Sequence, residues 1–171
     1  MDENDLQEIV ESSDIMQLVC FKFADEEYAV DITRVQEVIR VQKITPVPQM
    51  PEFVLGVVNI RGSVVPVFDL RQKFKLPVKP FDDLTKILVI TIDNILISFI
   101  VDEILDNIKL EQTHIDPAPN VKMEIAKECV KGVGLENERM IVILDLDNVN
   151  QAINAEINAY RNNETKTNEI V

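Results

Sequence analysis

The chain of 171 residues carries few side chains suited to chemistry. Its one histidine, His114, stands beside a proline-rich stretch. Its two cysteines, Cys20 and Cys129, lie far apart, with no C-x-x-C spacing. A zinc site takes about four N or S ligands, and this set does not readily supply them. No serine sits in a Gly-x-Ser-x-Gly turn. The four glycines, Gly56, Gly62, Gly132 and Gly134, are not spaced to cradle a phosphate. Asp69 and Asp145 end two similar apolar runs, so a carboxylate pair is conceivable. A duplicated Asp at the end of a strand is more simply a turn or cap residue. The expectation is a protein without catalytic residues, metal or cofactor. One cation stands out. Arg61 and Gly62 separate the apolar runs Val54–Ile60 and Ser63–Leu70 in a chain of formal net charge −13. A guanidinium on a tight turn is available for a charge-assisted contact with a partner. Glu37 could pair with it or stand beside it. As a mere surface salt bridge the pair would be worth about 0–1 kcal/mol.

Composition narrows the partners. There are 17 Lys and Arg against 30 Asp and Glu, a balance that repels nucleic acid and anionic membranes. The 46% hydrophobic and 27% charged residues are those of a folded protein. Val and Ile far outnumber Leu, which favours strands. The apolar runs Lys86–Ile92 and Ile95–Val101 are broken by Asp93-Asn94, so neither reaches the roughly 20 residues that span a bilayer. No secretory signal is visible at the N-terminus, and free thiols in a reducing cytoplasm are expected.

Period-two patterning supplies the elements that would hold Arg61 in place. Leu18–Phe23 and Tyr28–Ile32 read as strands around a polar turn, Asp25–Glu27. Val35–Val41 reads as a bend followed by a strand, and Thr45–Pro51 as a stiff connector. Val54–Ile60 and Ser63–Leu70 form a hairpin with Arg61 at its tip. Ile87–Ile92 and Ile95–Val101 form another around Asp93-Asn94. Val149, Ile153, Ile157 and Tyr160 mark one face of a helix, with Asp145 or Asp147 as its cap. Residues 1–14, acidic with no base, read as a mobile arm, and Arg161–Val171 as a disordered tail.

The chain also repeats itself. Tyr28–Val35 aligns with Ile97–Ile104, Ile44–Pro48 with Ile115–Pro119, Gly56 with Gly132, and Val65–Leu70 with Ile141–Leu146. Four matches in one order predict two similar small barrels of some five strands each. They would span approximately 15–80 and 85–146, with strands open to exchange between them. At the tips the copies differ: Asn59-Ile60-Arg61-Gly62 stands against Glu136-Asn137-Glu138-Arg139.

The runs Glu27–Val38 and Gly56–Arg71, with Ile100–Ile104, Ile115–Pro119 and Arg139–Leu146 in the second copy, resemble the CheW family of chemotaxis coupling proteins. The resemblance covers about Met16 to Asn150. It implies a mainly β fold of two SH3-like five-stranded barrels around a shared hydrophobic core; the acidic arm and the C-terminal α-helix with its tail lie outside the match. It also implies a non-enzymatic adaptor joining the cytoplasmic tips of methyl-accepting chemoreceptors to the regulatory domain of the histidine kinase CheA. By the same resemblance, Val35, Glu37, Asn59 and Arg61 would bind the receptor, and Asp116, Asn120 and Val121 would face the kinase. Relatives carry a basic and an aromatic residue in that second loop, where this chain has Asp116 and Val121. Competing readings are a β-barrel module that senses a small ligand, and a fragment like the kinase's regulatory domain.

Overall fold

The computed structural model describes residues 14–117 and 125–169. The acidic arm up to residue 13, and Asn120 and Val121, lie outside the described residues. Among the described residues eleven strands form two sheets. In chain order the strands are β1 (Ile15–Phe23), β2 (Glu26–Asp31), β3 (Val35–Arg40), β4 (Val54–Ile60), β5 (Ser63–Phe68), β6 (Lys86–Ile92), β7 (Ile95–Val101), β8 (Glu103–Glu111), β9 (Ile115–Asp116), β10 (Val130–Glu136) and β11 (Arg139–Leu144). Helix α1 (Leu70–Lys73) follows β5, and helix α2 (Leu146–Glu169) follows β11.

The hairpins form where the turn chemistry places them. Ala24-Asp25, Asp93-Asn94 and Asn137-Glu138 all have both residues at positive φ, as do Arg61 (φ 52°) and Gly62 (φ 87°). Two such residues match the twist of the flanking strands. Asp69 caps α1 by accepting from the Arg71 amide at 2.9 Å, and Asp145 accepts from the Asn148 amide at 3.1 Å at the start of α2. Both duplicated aspartates are caps.

The sheet orders are β3-β6-β7-β5-β4 and β8-β1-β2-β11-β10-β9. The chain does not divide into barrels at 15–80 and 85–146. The first hairpin of each repeat is handed to the other barrel: β1–β2 joins β8–β11, and β6–β7 joins β3–β5. Each exchanged hairpin is antiparallel to its neighbour on one side (β1 with β8, β6 with β3). On the other side it is parallel (β2 with β11, β7 with β5). The second sheet has six strands rather than five because the two-residue β9 pairs with β10. Its counterpart in the first sheet is a single bridge, Thr45 to Val57. Gly56 permits that bridge, since at φ +143° its Cα lies so close to the Thr45 carbonyl that a Cβ would collide with it.

Strand alternation explains the core. On β1, Leu18 and Cys20 fill the six-stranded barrel, while Val19, Phe21 and Phe23 point into a core shared by both barrels. On β6, Ile87 and Val89 fill the five-stranded barrel, while Leu88, Ile90 and Ile92 join the shared core. Val149 and Ile153 of α2 are buried against that same core. Helix α2 runs through Arg161 to Glu169, past the point where polar composition predicted a disordered tail. Residues 161–169 contain no Gly or Pro, so nothing local ends the helix.

Asp102 lies where the chain passes from one sheet to the other, between β7 and β8. Its carboxylate accepts from the Ala24 amide at 3.0 Å and from Arg71 Nη2 at 2.6 Å. Its own amide donates to the Lys22 carbonyl at 2.9 Å. The side chains of Arg71 and Asp102 are 12% and 9% exposed, and the guanidinium lies 5.6 Å from the centre of the Phe23 ring. This buried pair clasps the exchanged hairpin to α1. Asp102→Ala would strand a buried guanidinium and should cost about 3–5 kcal/mol, measured by urea denaturation. The double change Arg71→Met with Asp102→Leu should cost less. A loss below about 1 kcal/mol for Asp102→Ala would contradict the clasp.

Candidate functional site

The two barrels are closed at one corner by an ion pair, and the two corners are not alike. In the five-stranded barrel, β3 and β4 are opposite edges of the sheet. Rolling the sheet brings the β4–β5 tip to β3, where Arg61 Nη2 meets Glu37 Oε2 at 3.3 Å. The Arg61 side chain is 81% exposed and that of Glu37 is 23% exposed. Asn59 Oδ1 accepts from the Gly62 amide at 2.9 Å, which fixes the turn, and the Asn59 carbonyl accepts from Gln42 Nε2 at 3.1 Å. Val35 and Glu37 are half-buried on β3, separated by a bulge in the pairing with β6. The structure therefore brings Glu37, Asn59 and Arg61 to one corner, with Val35 on the same strand as Glu37.

The repeat places Asp106, on β8, where Glu37 stands on β3. There the cation is Arg139, at the start of β11 rather than at the tip. Arg139 donates two bonds to Asp106, at 2.8 and 2.9 Å, and two to Glu27, at 2.8 and 3.3 Å. It is 30% exposed. The Arg139 bonds pull the Asp106 carboxyl below the usual carboxylate range, and Asp106 and Glu27 push the Arg139 guanidinium upward in return. One guanidinium is locked by two carboxylates, while the other lies in water on a single long bond. The sequence marked the difference between the tips but not that Arg139 had become the structural cation. That needs Asp106 and Glu27, which are remote in sequence.

Of the residues that the resemblance would set against a kinase, only Asp116 lies among the described residues. Asp116 is exposed on β9, paired opposite Val133. Exposed His114 closes the short helical turn before β9. Cys20 and Cys129 are both buried free thiols. Burial, reinforced by the nearby Asp106 charge, pushes the Cys20 thiol up to about 11, and burial also raises Cys129. Among the described residues no group of His, Cys, Asp and Glu could hold a metal ion. None of the helices among the described residues is long and apolar enough to cross a membrane.

The CheW-like domain family model matches residues 17–153. The chain belongs to that family. It is 33% identical over 131 residues to the chemotaxis protein CheW of Klebsiella aerogenes, covering 77% of this chain and 79% of that one. The CheW of Helicobacter pylori is 32% identical over 139 residues, covering 81% and 84%. The crystal structure of the scaffolding protein TtCheW from Thermoanaerobacter tengcongensis superposes with a TM-score of 0.71. That relative is 32% identical, with 77% of this chain and 84% of that chain covered.

The contrast between corners sets a stability test. Arg139→Gln removes charge-assisted bonds to two carboxylates and should cost about 1–2 kcal/mol, allowing for its partial exposure. Arg61→Gln should change stability by less than about 0.5 kcal/mol. The Asp106 carboxyl is depressed in the fold, so its contribution is present above the unfolded carboxylate range. It is lost as pH falls through the folded value. Thermal melts of both variants from neutral to acid pH would check this: the gap between wild type and Arg139→Gln should narrow in acid.

Proposed function

We propose that this chain is a non-enzymatic scaffold of chemotaxis signalling. It couples the cytoplasmic tips of methyl-accepting chemoreceptors to the regulatory domain of the histidine kinase CheA, and it sits at receptor arrays on the inner face of the membrane through protein contacts alone. Membership of the CheW-like family supports the class of function. The observation that carries the site is the loosely held Arg61, set against its locked counterpart Arg139.

In this reading Val35, Glu37, Asn59 and Arg61 form the receptor contact. A receptor tip built as a helical hairpin lays one face against the corner, and a carboxylate or carbonyl on it takes the guanidinium from its single bond to Glu37. Desolvation on docking strengthens that contact well beyond an exposed surface pair. Asp116, Asn120 and Val121 are the proposed kinase contact. The mechanism is geometric: the scaffold fixes the distance and angle between receptor and kinase, so a receptor shift reaches the kinase without any covalent step.

Arg61→Glu should lower co-sedimentation with receptor-containing membranes about tenfold or more, equivalent to about 1.4 kcal/mol. Its circular dichroism should remain that of the wild type. Unchanged binding by a folded Arg61→Glu protein would overturn the site. Failure of wild-type protein to bring down either receptors or a histidine kinase from lysate would overturn the function.

A further inference from the structure

We infer that the Arg61 corner continues into a trough over the edge of β4, where Lys43 takes a carboxylate from an acidic, apolar helical segment of the receptor. The inference rests on the receptor-coupling reading above. After β3 ends at Arg40, the chain crosses to the opposite edge of the sheet. It touches β4 at one bridge, with the amides of Thr45 and Val57 each bonded to the other's carbonyl at 2.9 Å. Before that bridge the backbone has left the ladder, and the Gln42 side chain bonds to β4 at the Asn59 carbonyl. The gap is a shallow trough of about 400 Å³, lined by Gln42, Lys43, Thr45, Val57, Asn59 and Val64.

Three features define its occupant. Val64 is 70% exposed and is the cross-strand partner of Asn59, so trough and corner share one residue pair. Val57 and Val64 supply an apolar lining. Lys43 is exposed and takes part in no ion pair among the described residues, in a chain of net charge −13. A segment with an apolar side chain over Val64, a carboxylate at Lys43 and a second toward Arg61 complements all three. A helix presents such groups on one face at i, i+3 and i+4. Exposed charges act over about 8–10 Å at physiological salt, so Lys43 should recognise only a docked carboxylate and should lose its effect as salt rises.

The test uses the full-length chain and receptor-containing membranes, alongside Arg61→Glu. Lys43→Glu should weaken binding about five- to tenfold and Lys43→Gln about two- to threefold, with unchanged thermal melts and with the difference shrinking at high salt. Lys131→Glu makes the same charge change on exposed β10 of the other barrel and should bind as wild type. Wild-type binding by Lys43→Glu, with Arg61→Glu defective, would overturn the trough and leave the receptor reading standing. Equal losses in Lys43→Glu and Lys131→Glu would reduce the effect to net charge and also overturn it. No binding by the wild type would remove the receptor reading, and this inference with it.

Discussion

Neither barrel can form from one repeat, because each takes its first hairpin from the other. Residues on one face of β1 and β6 fill the individual barrels, and residues on the other face fill the core between them. Strands buried on both faces leave no seam along which the halves could slide, and a packed interior transmits displacement rather than absorbing it. Asp102, at the crossover, ties the exchanged β1–β2 turn to α1 through the Arg71 pair. The proposed coupling of two other proteins at a fixed angle would need this rigidity. The exchange provides it without a large core in either barrel.

Duplication also accounts for the site. The two barrels carry a cation at the corresponding corner, opposite Glu37 in one and Asp106 in the other. In the six-stranded barrel the cation stands just past the turn, at the start of β11, and is held by a second carboxylate, which leaves it little capacity for a partner. In the five-stranded barrel it lies on the tip, 81% exposed, with Asn59 shaping the turn beneath it. Closing a barrel and gripping a partner make opposite demands on an arginine. In the proposed reading the two copies divide these tasks.

Much of this was legible in the sequence because it is local. Asp93-Asn94 and Arg61-Gly62 specify their turns, Asp69 and Asp145 their caps, and Val149, Ile153 and Ile157 the buried face of α2. The exchange of hairpins was not legible, since β1 and β2 alternate in the same way whichever barrel receives them. The full length of α2 was not legible because residues 161–169 are polar, although nothing in them breaks a helix. The trough beside Asn59 was not legible for a third reason: it depends on where a connector leaves a strand edge, which residue types at 42–45 do not encode. Glu37 with Arg61 was readable as a pair. Their different degrees of exposure were not.

The most direct test of the account is a nuclear magnetic resonance titration of isotope-labelled full-length protein with a soluble receptor-tip fragment, following backbone amides and arginine side-chain Nε signals. The account predicts that Glu37, Asn59, Arg61 and Val64 shift together, while Arg139 and the β10–β11 hairpin stay in place. Shifts centred on the Arg139 corner, with Arg61 unmoved, would contradict it.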